Sequence, residues 1–117
     1  MGVMNHNAVI ATTWKKEEVE RIKKFAEFNN SALFLFSNEV TNGYVTVVLV
    51  PDGSKEGWEE SDDGNDLRKR FIEKLEQANY DDGTNPWDWI EVGFGEYGQK
   101  VLDGNCKNMY NDSEYAV

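Results

Sequence analysis

Hydrophobic spacing switches between two periods along this chain, and the order of the switches limits the fold more than any other feature. Val19, Ile22, Phe25 and Ala26, with Phe28 at the margin, recur at helical spacing over 14–28. Leu67, Phe71, Ile72, Leu75 and Ala78 do the same over 65–78. Around them stand strand-like runs at Asn7–Thr13, Ala32–Phe36, Gly43–Val50 and Trp87–Phe94, with Gln99–Leu102 as a short fifth. Asn42-Gly43 suits a hairpin turn that needs positive φ, and Pro51-Asp52-Gly53 stops the strand before it. Thr13 stands where a cap of the first helix belongs. Asp63, Asn65 and Asp66 stand at the start of the second, after a polar loop from Ser54 to about Gly64.

The element order is therefore β-α-β-β-α-β. Right-handed crossovers then place both helices on one face of a four-stranded antiparallel sheet, in the order 4-1-3-2. This predicts a two-layer α+β sandwich of the ferredoxin-like kind, with the short fifth strand at its C-terminal end. The competitor is another two-layer α+β sandwich in which that last strand pairs differently. A chain of 117 residues is the size of one domain, read here as 1–103 followed by a polar, loose tail over 104–117.

Aromatic content of 13% and apolar content of 39% exceed what disordered chains carry. The longest near-continuous apolar run, Tyr44 to Val50, falls far short of the ~20 residues that span a bilayer, so no membrane association is expected. The first residues show no basic segment followed by an apolar one, and the lone cysteine, Cys106, fits a reducing compartment; a cytoplasmic protein is expected. Net charge is −10 with a pI near 4.5, which argues against direct nucleic-acid binding and favours a basic protein partner, a cation or simple solubility. The acid is concentrated: residues 51–66 carry seven acids, Asp52, Glu56, Glu59, Glu60, Asp62, Asp63 and Asp66, against Lys55 alone. In the expected topology this stretch shares a pole with Glu96 and His6, and Asp81 and Asp82 lie at the other.

Strand alternation sorts residues into two faces. The purely apolar set, Leu33, Leu35, Val45, Val47, Leu49, Ile90, Val92 and Phe94, is expected under the helices. That leaves Phe34, Phe36, Tyr44, Trp87 and Trp89 on an open face beside Thr46, Val48, Val50 and Glu91. An aromatic patch of this kind marks a contact surface. Three occupants stand open: the C-terminal segment, a second subunit in a homodimer, and another protein or flat ligand.

No motif names a reaction. Ser61-Asp62-Asp63-Gly64-Asn65-Asp66 has calcium-loop ingredients without the ligand spacing, and Gly53-Ser54-Lys55-Glu56-Gly57 lacks the phosphate-loop pattern. His6 is the only histidine, with no nucleophile convincingly beside it, and no cofactor is expected. Trp58 either anchors the acidic loop or stands exposed as a binding hot spot. Trp14 and Trp87 are expected near each other at one pole.

The leading expectation is a small non-enzymatic protein-binding module. Its partner-binding residues would be Asp52, Glu56, Trp58, Glu59, Glu60, Asp62 and Asp63 in the acidic loop, with Phe34, Tyr44 and Trp89 on the sheet. A concrete version is an accessory protein of a virus or mobile element that inhibits a nucleic-acid-handling enzyme, its carboxylates occupying a basic channel. The alternatives are a small metal-dependent enzyme with a carboxylate cleft, and a structural subunit that dimerises through the aromatic sheet face.

Overall fold

A computed structural model describes residues 4–54 and 59–106 of the chain. The elements run β1 (Asn5–Thr13), α1 (Lys16–Phe28), β2 (Phe34–Phe36), β3 (Val45–Leu49), α2 (Glu59–Glu76), β4 (Trp87–Gly95) and β5 (Gly98–Gly104). The fold is α+β, with a five-stranded antiparallel sheet in the order β2-β3-β1-β4-β5. The sheet thus has five strands where four and a short fifth were expected. β5 is a full seven-residue strand, and it lies on the β4 edge. Asn42 and Gly43 take φ of 62° and 77° in the β2–β3 connection, the left-handed turn that the Asn-Gly pair favours.

One core forms between the sheet and both helices. Val19, Ile22 and Ala26 of α1 and Leu67, Phe71, Ile72 and Leu75 of α2 meet Val9, Ala11, Val47, Leu49, Phe34, Trp87 and Trp89 of the sheet. At its centre Phe34 packs edge-on against Phe71 at 5.2 Å, with Phe25 completing the ring cluster.

The expected faces hold for β3 and are reversed in β2 and β4. Phe34 and Trp89 are 5% and 4% exposed and Trp87 is fully buried, all under the helices, whereas Leu35 and Phe94 point to solvent. The reason is magnitude. Two indoles bury roughly 300–500 Å² between them, on the order of 10 kcal/mol, more than Ile90 and Val92 would contribute in their place. The single polar residue that travels with the tryptophans, Glu91, is met by Arg68 at 3.6 Å. The open sheet face therefore keeps Phe94 but loses Phe34, Trp87 and Trp89 to the core, and Phe34 and Trp89 are core residues, not contact residues. Trp87 is buried while Trp14, one residue beyond its cross-strand partner Thr13, is half exposed, so the two share a pole but not a packing site.

Three local expectations are also corrected. Thr13 ends β1 instead of capping α1: its buried hydroxyl donates to the Pro86 carbonyl at 2.8 Å, and Lys15 holds the cap position without a side-chain bond. Gly104 belongs to β5 and Asn105 is bound to the sheet, so the tail does not begin at 104. The Asn105 amide donates to Trp87 O at 2.7 Å, and its carbonyl accepts from Trp89 N at 2.9 Å.

The third correction is that α2 already includes Glu59 to Gly64, residues expected in a loop. Gly64 looks like a helix breaker but is needed for space: a Cβ there would lie 2.5 Å from Asp52 Oδ2. Gly64→Ala should therefore forgo the stabilisation of about 1 kcal/mol that alanine brings to a helix. Displacing Asp52 from Ser54 and Arg68 costs a similar amount, about 1–2 kcal/mol. Urea unfolding should show a net change between zero and about 1 kcal/mol of destabilisation.

Candidate functional site

The β3–α2 connection and the start of α2 build the acidic pole. Asp52 Oδ1 accepts hydrogen bonds from Ser54 N at 2.9 Å and Ser54 Oγ at 2.6 Å, which folds the loop onto the first turns of α2. Burial alone would raise the Asp52 carboxyl pKa, but the Ser54 bonds and the Arg68 charge bring it below its ordinary value. Glu59, Glu60 and Asp62 occupy the first turn of α2, where the helix dipole favours carboxylates, and Asp63 follows. These four are exposed, and among the described residues none of them has an ion-pair partner. Asp66 is different, since Arg70 Nε holds it at 2.9 Å.

Two recesses flank the Asp52–Ser54 loop. The larger, a groove of 570 Å³, runs between the C-terminal end of α1 and the start of α2. Leu33, Leu67 and Phe28 give it apolar walls, Asp52, Glu60 and Asp63 line its acidic side, and Arg70 closes one end. Arg70 also donates to Asn29 Oδ1, tying the two helices together across the groove. Phe28 is 90% exposed at its rim. The smaller recess, 180 Å³, lies between the start of β1 and α2 and is lined by His6, Asp52, Asp62, Asn65 and Arg68.

Arg68 links the smaller recess to the sheet. Its guanidinium meets Glu91 and Asn65, and it reaches Asn7 Oδ1 at 3.1 Å when that amide is turned to receive it. Burial lowers the Arg68 pKa against the pull of Glu91 and Asp52, and burial together with Asp103 raises that of Glu91 against the pull of Arg68. His6 lies against Phe94 at 5.3 Å. Burial and the Asp88 charge push the Cys106 thiol up, opposite to what activates a nucleophile. Among the described residues no three or more His, Cys, Asp or Glu side chains group as metal ligands, and no helix is long and apolar enough to cross a membrane.

The structure thus gathers Asp52, Glu60 and Asp63 around one groove. Asp62 lies on the neighbouring recess and Glu59 at the first described residue of α2. Glu56 and Trp58 lie outside the described residues. Tyr44 is half-buried next to Val45, the residue that pairs with Thr13, and so sits at the far end of β3 from Asp52. The spacing put Phe28 at the margin of the buried α1 stripe and Leu33 among the residues expected under the helices; Phe28 is instead 90% exposed, both line the groove, and Arg68 was not singled out. Phe28 had a readable signal: at 100° per residue it lies roughly opposite the buried stripe of Val19, Ile22 and Ala26. Arg68 had none, because its value depends on which face of β4 turns inward. Comparisons with protein-family models, curated proteins and solved structures gave no match.

Proposed function

We propose that this protein is a non-enzymatic binding module whose acidic groove takes a basic segment of a partner protein, anchored by an apolar side chain. The observation that carries the reading is the juxtaposition of Phe28, 90% exposed, with Glu60 and Asp63, two exposed carboxylates without a described cation partner, on one groove. An exposed aromatic beside an apolar wall supplies desolvation energy, and carboxylates carried on a helix speed encounter with a cationic surface and reject anionic ones. One concrete form of the role is a viral or mobile-element accessory protein that occupies the basic channel of a nucleic-acid-handling enzyme, its carboxylates standing where phosphates would pass. We read the scaffold as a ferredoxin-like split βαβ unit with a strand added at the β4 edge; the order β2-β3-β1-β4 supports this.

Fluorescence anisotropy with a labelled Lys-Leu-Lys-Lys-Leu-Lys peptide tests the reading against versions in which Gly replaces Leu or Glu replaces Lys. The leucine peptide should bind best, and affinity should fall as salt rises from about 0.05 to 0.3 M. Phe28→Ser and the pair Glu60→Gln/Asp63→Asn should each weaken binding about tenfold, equivalent to ~1.4 kcal/mol. Melting should be almost unchanged, because these side chains are exposed. Equal binding of the leucine and glycine peptides, or indifference to salt, would sink the proposal.

A further inference from the structure

The sheet face away from the helices carries two apolar rows across its centre, flanked by the hydrogen-bonded Thr12–Thr46 pair on one side and by His6 and Gln99 on the other. Cross-strand register aligns Leu35, Val48, Ile10 and Ile90 in one row over β2, β3, β1 and β4. A second row runs Ala8, Val92 and Val101 over β1, β4 and β5. Ile10, Leu35, Phe94 and Val101 are 37%, 59%, 44% and 63% exposed. By the same register, Asp88 is the one Asp, Glu, Lys or Arg that the described strands place squarely on this face, in a chain where such residues make up 29%. Asp103, beside the β4–β5 register shift, joins it at the edge of the hollow lined by Ile10, Ile90 and Val101. An antiparallel sheet with one wet face normally alternates apolar with polar residues, whereas near-continuous runs such as Val45–Leu49 belong to strands covered on both sides.

We infer that this face seats a second copy of the same chain, the two sheets packing as a symmetric sandwich. Two observations favour a copy over another occupant. The first is area. Nine-residue β1 and β4 give a length of about 30 Å, and five strands a width of about 24 Å. With strands of nine, nine, seven, five and three residues this is about 500 Å² of projected surface, near the low end of the roughly 600–1,000 Å² per partner of a specific interface once side chains are counted. The second is self-complementarity. β1 is the middle strand and Ile10 lies near the centre of the face, so a two-fold axis near Ile10 stacks apolar rows on apolar rows and leaves Asp88 and Asp103 toward the periphery of the contact. The acid of each copy lies on α2 and the adjoining loop, a layer away, where salt screens it over about 10 Å.

The inference is independent of the groove, and salt separates the two. Peptide binding at the groove weakens with salt, while association of two anionic copies strengthens. Sedimentation equilibrium of the full chain should give a species of about 27 kDa, twice the 13.4 kDa chain, with a dissociation constant that falls as salt rises from about 0.05 to 0.5 M. Ile10→Lys should raise that constant at least tenfold, and mixing it with Ile10→Glu should restore a dimer across the axis. Leu35→Lys, on an edge strand and more exposed, should weaken association with little effect on folding and serves if Ile10→Lys does not fold. A monomer at about 200 µM overturns the inference, whether residues 107–117 or nothing covers the face. So does a dimer that ignores both lysine substitutions.

Discussion

Replacing Glu18 by alanine is expected to lower the unfolding free energy by about 2–4 kcal/mol, one of the two largest effects of any single substitution considered for this chain. Glu18 is a mostly covered carboxylate at the junction of three elements. Its Oε1 accepts from the indole Nε1 of the fully buried Trp87 at 2.9 Å and from Arg21 at 2.7 Å, and Arg21 also donates to the Lys74 carbonyl of α2 at 2.7 Å. Alanine leaves the indole N–H without an acceptor and Arg21 without its anion, which is the expensive way to lose a hydrogen bond. Glu18→Gln keeps an acceptor for Trp87 and should cost less than half as much. Differential scanning calorimetry on both variants checks the order.

The same residue gives the protein part of its acid sensitivity. Burial would push the Glu18 carboxyl up, but the bonds from Arg21 and Trp87 and the charges of Arg21 and Lys15 hold it below its ordinary value. A depressed folded-state pKa means that the unfolded chain binds the proton more readily. Its stabilisation is therefore full above the unfolded carboxylate pKa, near 4.5, and is lost as pH falls through the lower, folded value. Glu18→Gln should flatten that limb of the stability profile.

Arg68→Ala is the second. It removes the cation facing Glu91 and Asp52 and should destabilise by about 2–4 kcal/mol at neutral pH, near the low end of the range for breaking a buried pair because the site is only partly covered. The pH signature has the opposite sign to that of Glu18. Burial and Asp103 already raise the Glu91 pKa, and losing Arg68 raises it further. The folded state then binds a proton that the unfolded state does not. The variant should thus recover stability as pH is lowered from 7 toward the unfolded carboxylate pKa, where an ordinary acidic protein gains little. Arg68→Met with Glu91→Leu should be far milder than Arg68→Ala, since exchanging a buried pair for apolar side chains of similar volume is often neutral. Urea unfolding at pH 5 and pH 7 on the single and double variants distinguishes a charge effect from lost packing.

These two residues show where a reading of the sequence stops. Glu18 and Arg68 fall on helical stretches among many charged neighbours, and nothing in their spacing sets them apart from Glu17 or Lys69. They become structural only because Trp87 and Glu91 turn inward on β4. Strand alternation separated Trp87, Trp89 and Glu91 from Ile90, Val92 and Phe94, yet it could not say which set faces the helices. A rule favouring the purely apolar set chose wrongly, because one paired carboxylate costs less than two exposed indoles. The groove shows the same division. Its carboxylates were legible as a charge cluster, but Phe28 and Leu33 join them only through the packing of α1 beside α2, and Gly64 concealed the earlier part of that helix.

Periodicity and turn chemistry along the chain by themselves determined the kinds of elements, their order and the concentration of acid in 51–66, because helix and strand spacing, Asn-Gly turns and side-chain charge are local properties. Only the tertiary structure decided which side of each strand is dry, how far α2 reaches, and which charges are paired. Those outcomes compare the burial of large rings with the desolvation of Glu91 and Glu18, and that balance depends on neighbours brought from 50 to 70 residues away, as in the Arg21–Lys74 and Glu18–Trp87 contacts.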